Sequence, residues 1–194
     1  MNKLYINTFP IINLYKKASK KSEIVTQLIY GDSFTIVNKY AKWLKIKIKE
    51  DGYKGFIVNK KYKSYFQPTH KVSKLKANIY NLINRNQKIG ELPFGSKIRI
   101  KGIKSAFLVF DQGMIKTKDV KPLKYKEKNL FKKIKEFINV KYKWGGKSFK
   151  GIDCSALIQI FLNFNNKFCP RDAKDQIKYF KKNIKLKNIK KNDI

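Results

Sequence analysis

The chain has 194 residues, with 46 Lys and Arg against 13 Asp and Glu, a formal net charge of +33. At 42% hydrophobic and 14% aromatic it can bury real cores, which excludes a disordered tail. Charged residues make up 30%, mean hydropathy is −0.51, and no apolar run approaches the ~20 residues of a spanning helix, so no membrane partner is expected.

Lysine carries the charge. Arg85, Arg99 and Arg171 are the three arginines, and Lys, Asn and Ile number 43, 17 and 25. These are amino acids of A/T-rich codons, so genome bias produces such a surface without a partner. A functional polyanion contact stays open, but readers of nucleic-acid sequence lean on Arg and cluster their charge. No specific nucleic acid is expected. Cys154 and Cys169 form neither a disulfide framework nor a metal pattern, and His70 is the one histidine. The first ten residues lack a signal-peptide core, so a cytoplasmic setting, a monomer, no cofactor and no metal are the expectations.

The first predicted elements are strands, and they repeat. Val25–Ile36, with Leu28, Gly31 and Phe34, aligns at an offset of 64 with Ile89–Ile100, carrying Leu92, Gly95 and Ile98. The offset continues through Trp43-Leu44-Lys45-Ile46 against Phe107-Leu108-Val109-Phe110. Leu14-Tyr15 meets Ile79-Tyr80 after one residue of slippage, and Gly55-Phe56-Ile57 meets Gly113-Met114-Ile115, the second hairpin being shorter. Period-2 alternation and the Asp51-Gly52 turn predict two small all-β units, with Gln67-Pro68-Thr69-His70 as the linker. From Asn129 the period changes. Leu130, Phe131, Ile134, Phe137 and Ile138 predict an amphipathic helix over 128–139. A second helix is expected from Asp153, burying Leu157, Ile158, Phe161 and Leu162, and a third from Arg171 or Asp172 to Phe180.

The stretch Tyr142-Lys-Trp144-Gly145-Gly146-Lys-Ser-Phe-Lys-Gly151-Ile-Asp153-Cys154-Ser155 bears the chemistry. Glycines hold a loop, Asp153 or Ser155 caps a helix start, and Cys154 sits in the first turn. Unpaired N–H groups there stabilise a thiolate. Taken alone, these residues allow a small buried cysteine as well as a nucleophile.

The segment resembles the NlpC/P60 family of cell-wall cysteine peptidases, through Tyr142-x-Trp144-Gly145-Gly146, Gly151-x-Asp153-Cys154-Ser155-Ala156-Leu157 and Pro170-Arg171-Asp172…Gln176. The repeats resemble bacterial SH3-like barrels, the second copy more weakly, and the whole arrangement is similar to dipeptidyl-peptidases that cut γ-D-glutamyl-diamino-acid bonds. The resemblance implies a mixed fold: two all-β SH3-like barrels, then an α+β papain-like domain of which only the N-terminal helical half is present. The expected boundaries are 1–66, a linker at 67–72, 73–124, and 125–194.

The resemblance further implies Cys154 as nucleophile and Tyr142 as the oxyanion donor. Asp153 and Ser155 would bind the substrate's free amine, with Trp144, Arg171 and Asp172 also lining the site. For Arg171 a helix-start ion pair is the competing reading. The implied substrate is a murein-derived L-Ala-γ-D-Glu-diamino-acid peptide. The family's His and its orienting residue follow a turn that Lys190–Ile194 matches, so truncation before that His, and an inactive chain, are expected. His70 is not expected to replace it. A non-catalytic cell-wall-peptide or polyanion binder is the alternative.

Overall fold

The computed structural model describes residues 3–129, 131–180 and 188. Leu130 of the expected first helix and the Lys190–Ile194 turn lie outside them.

The first unit is one seven-stranded sheet: β1 Leu4–Ile6, β2 Ile11–Tyr15, β3 Ile24–Ile29, β4 Ser33–Lys39, β5 Trp43–Ile48, β6 Lys54–Val58 and β7 Lys63–Ser64. Its order is β3-β2-β6-β5-β4-β1-β7, and every pairing is antiparallel. The alternation in β5 sends Leu44, Ile46 and Ile48 inward to join Leu14, Leu28, Phe34 and Ile57, while Lys45 and Lys47 face outward.

The second unit contains β8 His70–Val72, β9 Lys76–Tyr80, β10 Lys88–Pro93, β11 Lys97–Ile98, β12 Gly102–Lys104, β13 Phe107–Phe110, β14 Gly113–Lys116 and β15 Val120–Pro122. These form sheets ordered β10-β9-β14-β13-β12 and β11-β8-β15. Aligned repeat positions do the same work in both units. Leu28 and Leu92, Phe34 and Ile98, Leu44 and Leu108, and Ile46 and Phe110 are all buried in their respective cores.

One aligned pair behaves differently. Tyr30 follows β3 but belongs to the core of the second unit, meeting Phe110 edge-on at 6.0 Å. Its repeat partner Phe94 follows β10 and enters the core of the C-terminal region, among Phe137, Ile152, Ala156, Ile160, Phe161 and Phe164. Each β unit thus inserts one aromatic ring into the region that follows it. Gly31 makes the first insertion possible: its φ is +88°, and a Cβ there would overlap the Lys97 carbonyl oxygen.

The C-terminal region contains a 3-10 turn at Lys132–Phe137, the hairpin β16 Lys147–Ser148 and β17 Gly151–Ile152, and helices α1 Cys154–Phe164 and α2 Ala173–Phe180. Among the described residues no helix is long and apolar enough to cross a membrane.

Three expectations need correction. The 67–72 linker is not free: His70–Val72 is the central strand β8, paired with β11 and β15. Its polar sequence conceals this because Lys71 is buried, its Nζ donating to the carbonyls of Tyr125, at 2.6 Å, and of Phe164 at the end of α1. Where an amphipathic helix was expected over 128–139, Lys132–Phe137 is a 3-10 turn. Lys133 donates to the Ser73 carbonyl, Glu136 accepts from Leu75 N at 3.1 Å, and Phe137 is buried while Ile138 points to solvent. These tethers to the second unit override the helical period. In α1 Phe161 and Leu162 are buried as expected, together with Ala156, Ile160 and Phe164, whereas Leu157 and Ile158 are only half-buried.

Candidate active site

Asp153 starts α1 with extended backbone, and its carboxylate accepts from Ala156 N at 2.8 Å, so a side-chain cap defines the helix end. Cys154 is therefore the first helical residue. Its side chain is exposed, whereas Cys169 is buried. Burial and the nearby Asp51 charge push the Cys169 thiol up to about 11.

The exposed thiol opens into a cleft of about 890 Å³. The C-terminal region contributes Tyr142, Trp144, Asp153, Cys154, Ser155, Arg171, Asp172, Lys174 and Asp175, and the first unit contributes Lys16, Glu23, Asp51, Tyr53 and Lys54 among others. All seven residues singled out from the sequence thus come together.

They divide into two sets. Asp153, Ser155 and Arg171 are buried and bind one another. Arg171 makes a bidentate pair with Asp153, Nη2 to Oδ2 at 2.6 Å and Nη1 to Oδ1 at 3.1 Å. It also donates to Ser155 Oγ at 2.8 Å and, through Nε, to Thr26 Oγ1 at 2.6 Å. Asp153 Oδ1 further accepts from Ser155 Oγ at 3.2 Å, and Oδ2 from Gly145 N at 2.9 Å. A carboxylate offers about four lone-pair sites, and the five chain donors fill them. The acceptor sites of Asp153 are thus taken up within the chain, while Ser155 Oγ donates to Asp153 and accepts from Arg171. Asp153 and Ser155 form the brace beneath Cys154, and Arg171 takes the helix-start ion pair.

Tyr142, Trp144 and Asp172 are the accessible set. Tyr142 is two-thirds exposed at the cleft edge. Trp144 lies across the boundary between units, its indole N–H donating to Glu23 Oε1 at 2.9 Å. Glu23 also binds Lys16 Nζ at 3.0 Å, and the hydrogen bonds from Lys16 and Trp144 hold its carboxyl below the usual value. Gly145 follows with φ +70°, pressed so closely on the first unit that a Cβ would overlap the Ile24 carbonyl oxygen. Asp172, half-buried, accepts from Tyr53 Oη at 3.1 and 3.2 Å. Burial and the Asp172 charge push the Tyr53 phenol up to about 12, so at neutral pH it is a donor.

The wall from the first unit was not found from the sequence. Its signal was the hairpin length. Between β5 and β6 run residues 49–53, whereas between β13 and β14 run only Asp111 and Gln112. The longer connection reaches the C-terminal region: Asp51 accepts from Gln159 Nε2 of α1 at 3.0 Å, and Tyr53 reaches Asp172. His70 is not among the cleft residues. It begins β8 of the second unit, with its Nδ1 3.0 Å from Oγ1 of the preceding Thr69.

Residues 14–61 match the bacterial dipeptidyl-peptidase SH3 domain, and residues 139–194 match the NlpC/P60 family. The γ-D-glutamyl-L-lysine dipeptidyl-peptidase of Bacillus subtilis is 25% identical over 191 residues. The match covers 88% of this chain and 63% of the relative, so the chain spans under two-thirds of that protein's length. The crystal structure of an NlpC/P60 family protein from Bacillus cereus superposes with a TM-score of 0.80 at 16% identity, covering 97% of this chain and 80% of that one.

Proposed function

We propose that this chain, a member of the NlpC/P60 family by its residues 139–194, binds murein-derived L-Ala-γ-D-Glu-diamino-acid peptides through their free N-terminus. It presents Cys154 to the γ-D-glutamyl bond as the nucleophile of a cysteine peptidase. Two SH3-like units precede the peptidase domain, the first of them walling the site. One observation carries the reading: the exposed thiol at the first residue of α1 opens into a cleft walled by the β unit that precedes it. A cleft of this size lies in the range, roughly 300–1,000 Å³, of small-ligand sites.

The roles follow from the two sets. Attack of the thiolate on the γ-carbonyl forms a thioester and releases the diamino acid's amine, and water then cleaves the thioester. Tyr142, accessible at the cleft edge, donates toward the oxygen on which charge develops. Asp172 takes the ammonium of L-Ala. It accepts from Tyr53 Oη and has no cationic partner among the described residues, whereas Asp153 is filled. Asp172 and Cys154 both belong to the C-terminal region, and Tyr53 of the first unit fixes the Asp172 carboxylate by its hydroxyl, so the amine subsite lies at a set distance from the thiol and favours peptides of one length.

A second reading has its own observation. The thiol needs a base, and the sequence's one histidine lies in β8, off the cleft. Residues 1–194 by themselves then bind the peptide without turning it over. Both readings are tested by calorimetric titration and peptide analysis with L-Ala-γ-D-Glu-L-Lys and its N-acetyl derivative. Binding of the free peptide, lost on acetylation and on Asp172→Asn, is expected. Equal binding of the blocked peptide refutes the amine subsite, and turnover by this chain refutes the second reading.

A further inference from the structure

We propose that the buried ion pair between Lys147 and Asp32 is the positioning element that seats the Tyr142–Trp144 wall and the start of α1 on the first unit. Lys147 Nζ lies 3.2 Å from Asp32 Oδ2, with side chains only 4% and 5% exposed. Asp32 Oδ2 also accepts from Ile29 N at 3.0 Å, which fixes the carboxylate to its own strand end. On its other side Asp32 Oδ1 faces Lys97 Nζ of the second unit at 3.8 Å, and Lys97 pairs with Glu50 Oε1 at 2.8 Å. Cations from two other parts of the chain therefore converge on one carboxylate of the first unit.

Lys147 is attached at a second point. Its backbone N–H donates to Gln27 Oε1 at 2.9 Å, and Gln27 is held in turn by Asn13 Oδ1 at 2.9 Å. Two attachments, one along the backbone and one at the end of the side chain, fix both the place and the orientation of β16. That strand lies three residues after Trp144 and pairs with β17 through Lys147 and Ile152, two residues before Cys154. A shift of Lys147 therefore moves the cleft wall and the nucleophile together.

Energetics favour a positioning role over a stabilising one. The cost of removing two charges from water largely cancels their attraction, and apolar replacements of such pairs are often as stable or more so. What an apolar replacement lacks is direction. Each ammonium hydrogen needs an oxygen at a definite distance and angle, so the pair sets register as a methionine cannot.

The test uses the full chain with Trp43→Phe, leaving Trp144 as the one tryptophan. Asp32→Asn, Lys147→Met and the double variant are compared by melting temperature, acrylamide quenching of Trp144, and affinity for L-Ala-γ-D-Glu-L-Lys. Lys147→Met keeps the Asp32–Lys97 contact, so it is the variant to rely on if Asp32→Asn fails to fold. The expected result is a Trp144 quenching constant that departs from the parent's in each variant at temperatures where circular dichroism shows a folded chain, with weaker peptide affinity. The double variant should regain the parent's melting temperature but not its Trp144 quenching constant. Single variants that melt earlier with unchanged quenching overturn the proposal, as does a double variant that recovers both. A parent chain that ignores the tripeptide defeats the proposed function alone, and the quenching comparison still decides this inference.

Discussion

Removing the ring of Phe94 should uncouple the C-terminal region from the two β units. Phe94 is 3% exposed and sits among three other aromatic rings. It stacks on Phe164 at 4.7 Å and meets Phe161 at 5.3 Å and Phe137 at 5.9 Å. Phe→Ala at such a position costs about 3–5 kcal/mol, because the transfer energy is lost and a cavity remains. Aromatic pairing contributes roughly 0.5–1.5 kcal/mol per pair beyond area. Against a net stability of about 5–15 kcal/mol for a whole domain, that is enough to melt one region alone. In the Trp43→Phe chain, Phe94→Ala should therefore split the calorimetric trace, with loss of Trp144 fluorescence preceding loss of sheet ellipticity. Phe94→Leu, which fills most of the space, should leave the trace close to the parent. A Phe94→Ala cost below about 1 kcal/mol, or a single transition at both probes, would refute the reasoning.

Limited iodoacetamide treatment near pH 7.5 should label Cys154 first, because Cys169 is buried and its thiol is raised to about 11. Peptide mapping that finds Cys169 labelled first would remove the basis for the nucleophile. Lys71 gives a pH dependence: burial, then the charges of Lys97 and Lys126, push its ammonium down from 10.5 to about 8. Between those values the unfolded chain holds a proton that the folded chain has shed, so stability should rise with pH by up to about 1.4 kcal/mol per unit. Below pH 8 both states are charged and the contribution is flat. Denaturant titrations from pH 7 to 10 should show this rise in the parent and not in Lys71→Met, and parallel curves would refute it. Binding to DNA or heparin should be blind to sequence and fade near physiological salt, since log K falls by about 0.9 per phosphate contact with log salt. Retention of one DNA sequence at ~0.5 M salt would instead support a polyanion function.

Much of the site's local construction was legible in the amino-acid sequence. Asp153 as a cap, Cys154 as the first helical residue and the glycines that turn the Tyr142–Gly151 loop all follow from capping chemistry and backbone freedom, which act over three or four residues. The repeat was legible for a related reason: burial on one face of a strand imposes alternation, so Leu28 and Leu92 or Ile46 and Phe110 declare themselves by spacing. The same alignment holds Tyr30 opposite Phe94, yet nothing local says that each ring leaves its own unit for the next one's core. Nor could spacing show that β8 hides inside a polar stretch, since Lys71 reads as a loop residue until the end of α1 supplies carbonyls for its ammonium. The division of labour among the carboxylates was decided in the same way. Asp153 and Asp172 look alike in sequence, both beside helix starts. Only packing delivers Arg171 and Gly145 N to the first and leaves the second with the Tyr53 hydroxyl. Periodicity and capping are short-range, so the chain carries them in its order of residues. Which charge is filled and which is free depends on groups brought together by packing, 8 and 18 residues away at Asp153 and 119 away at Asp172, and only the tertiary structure determines those neighbours.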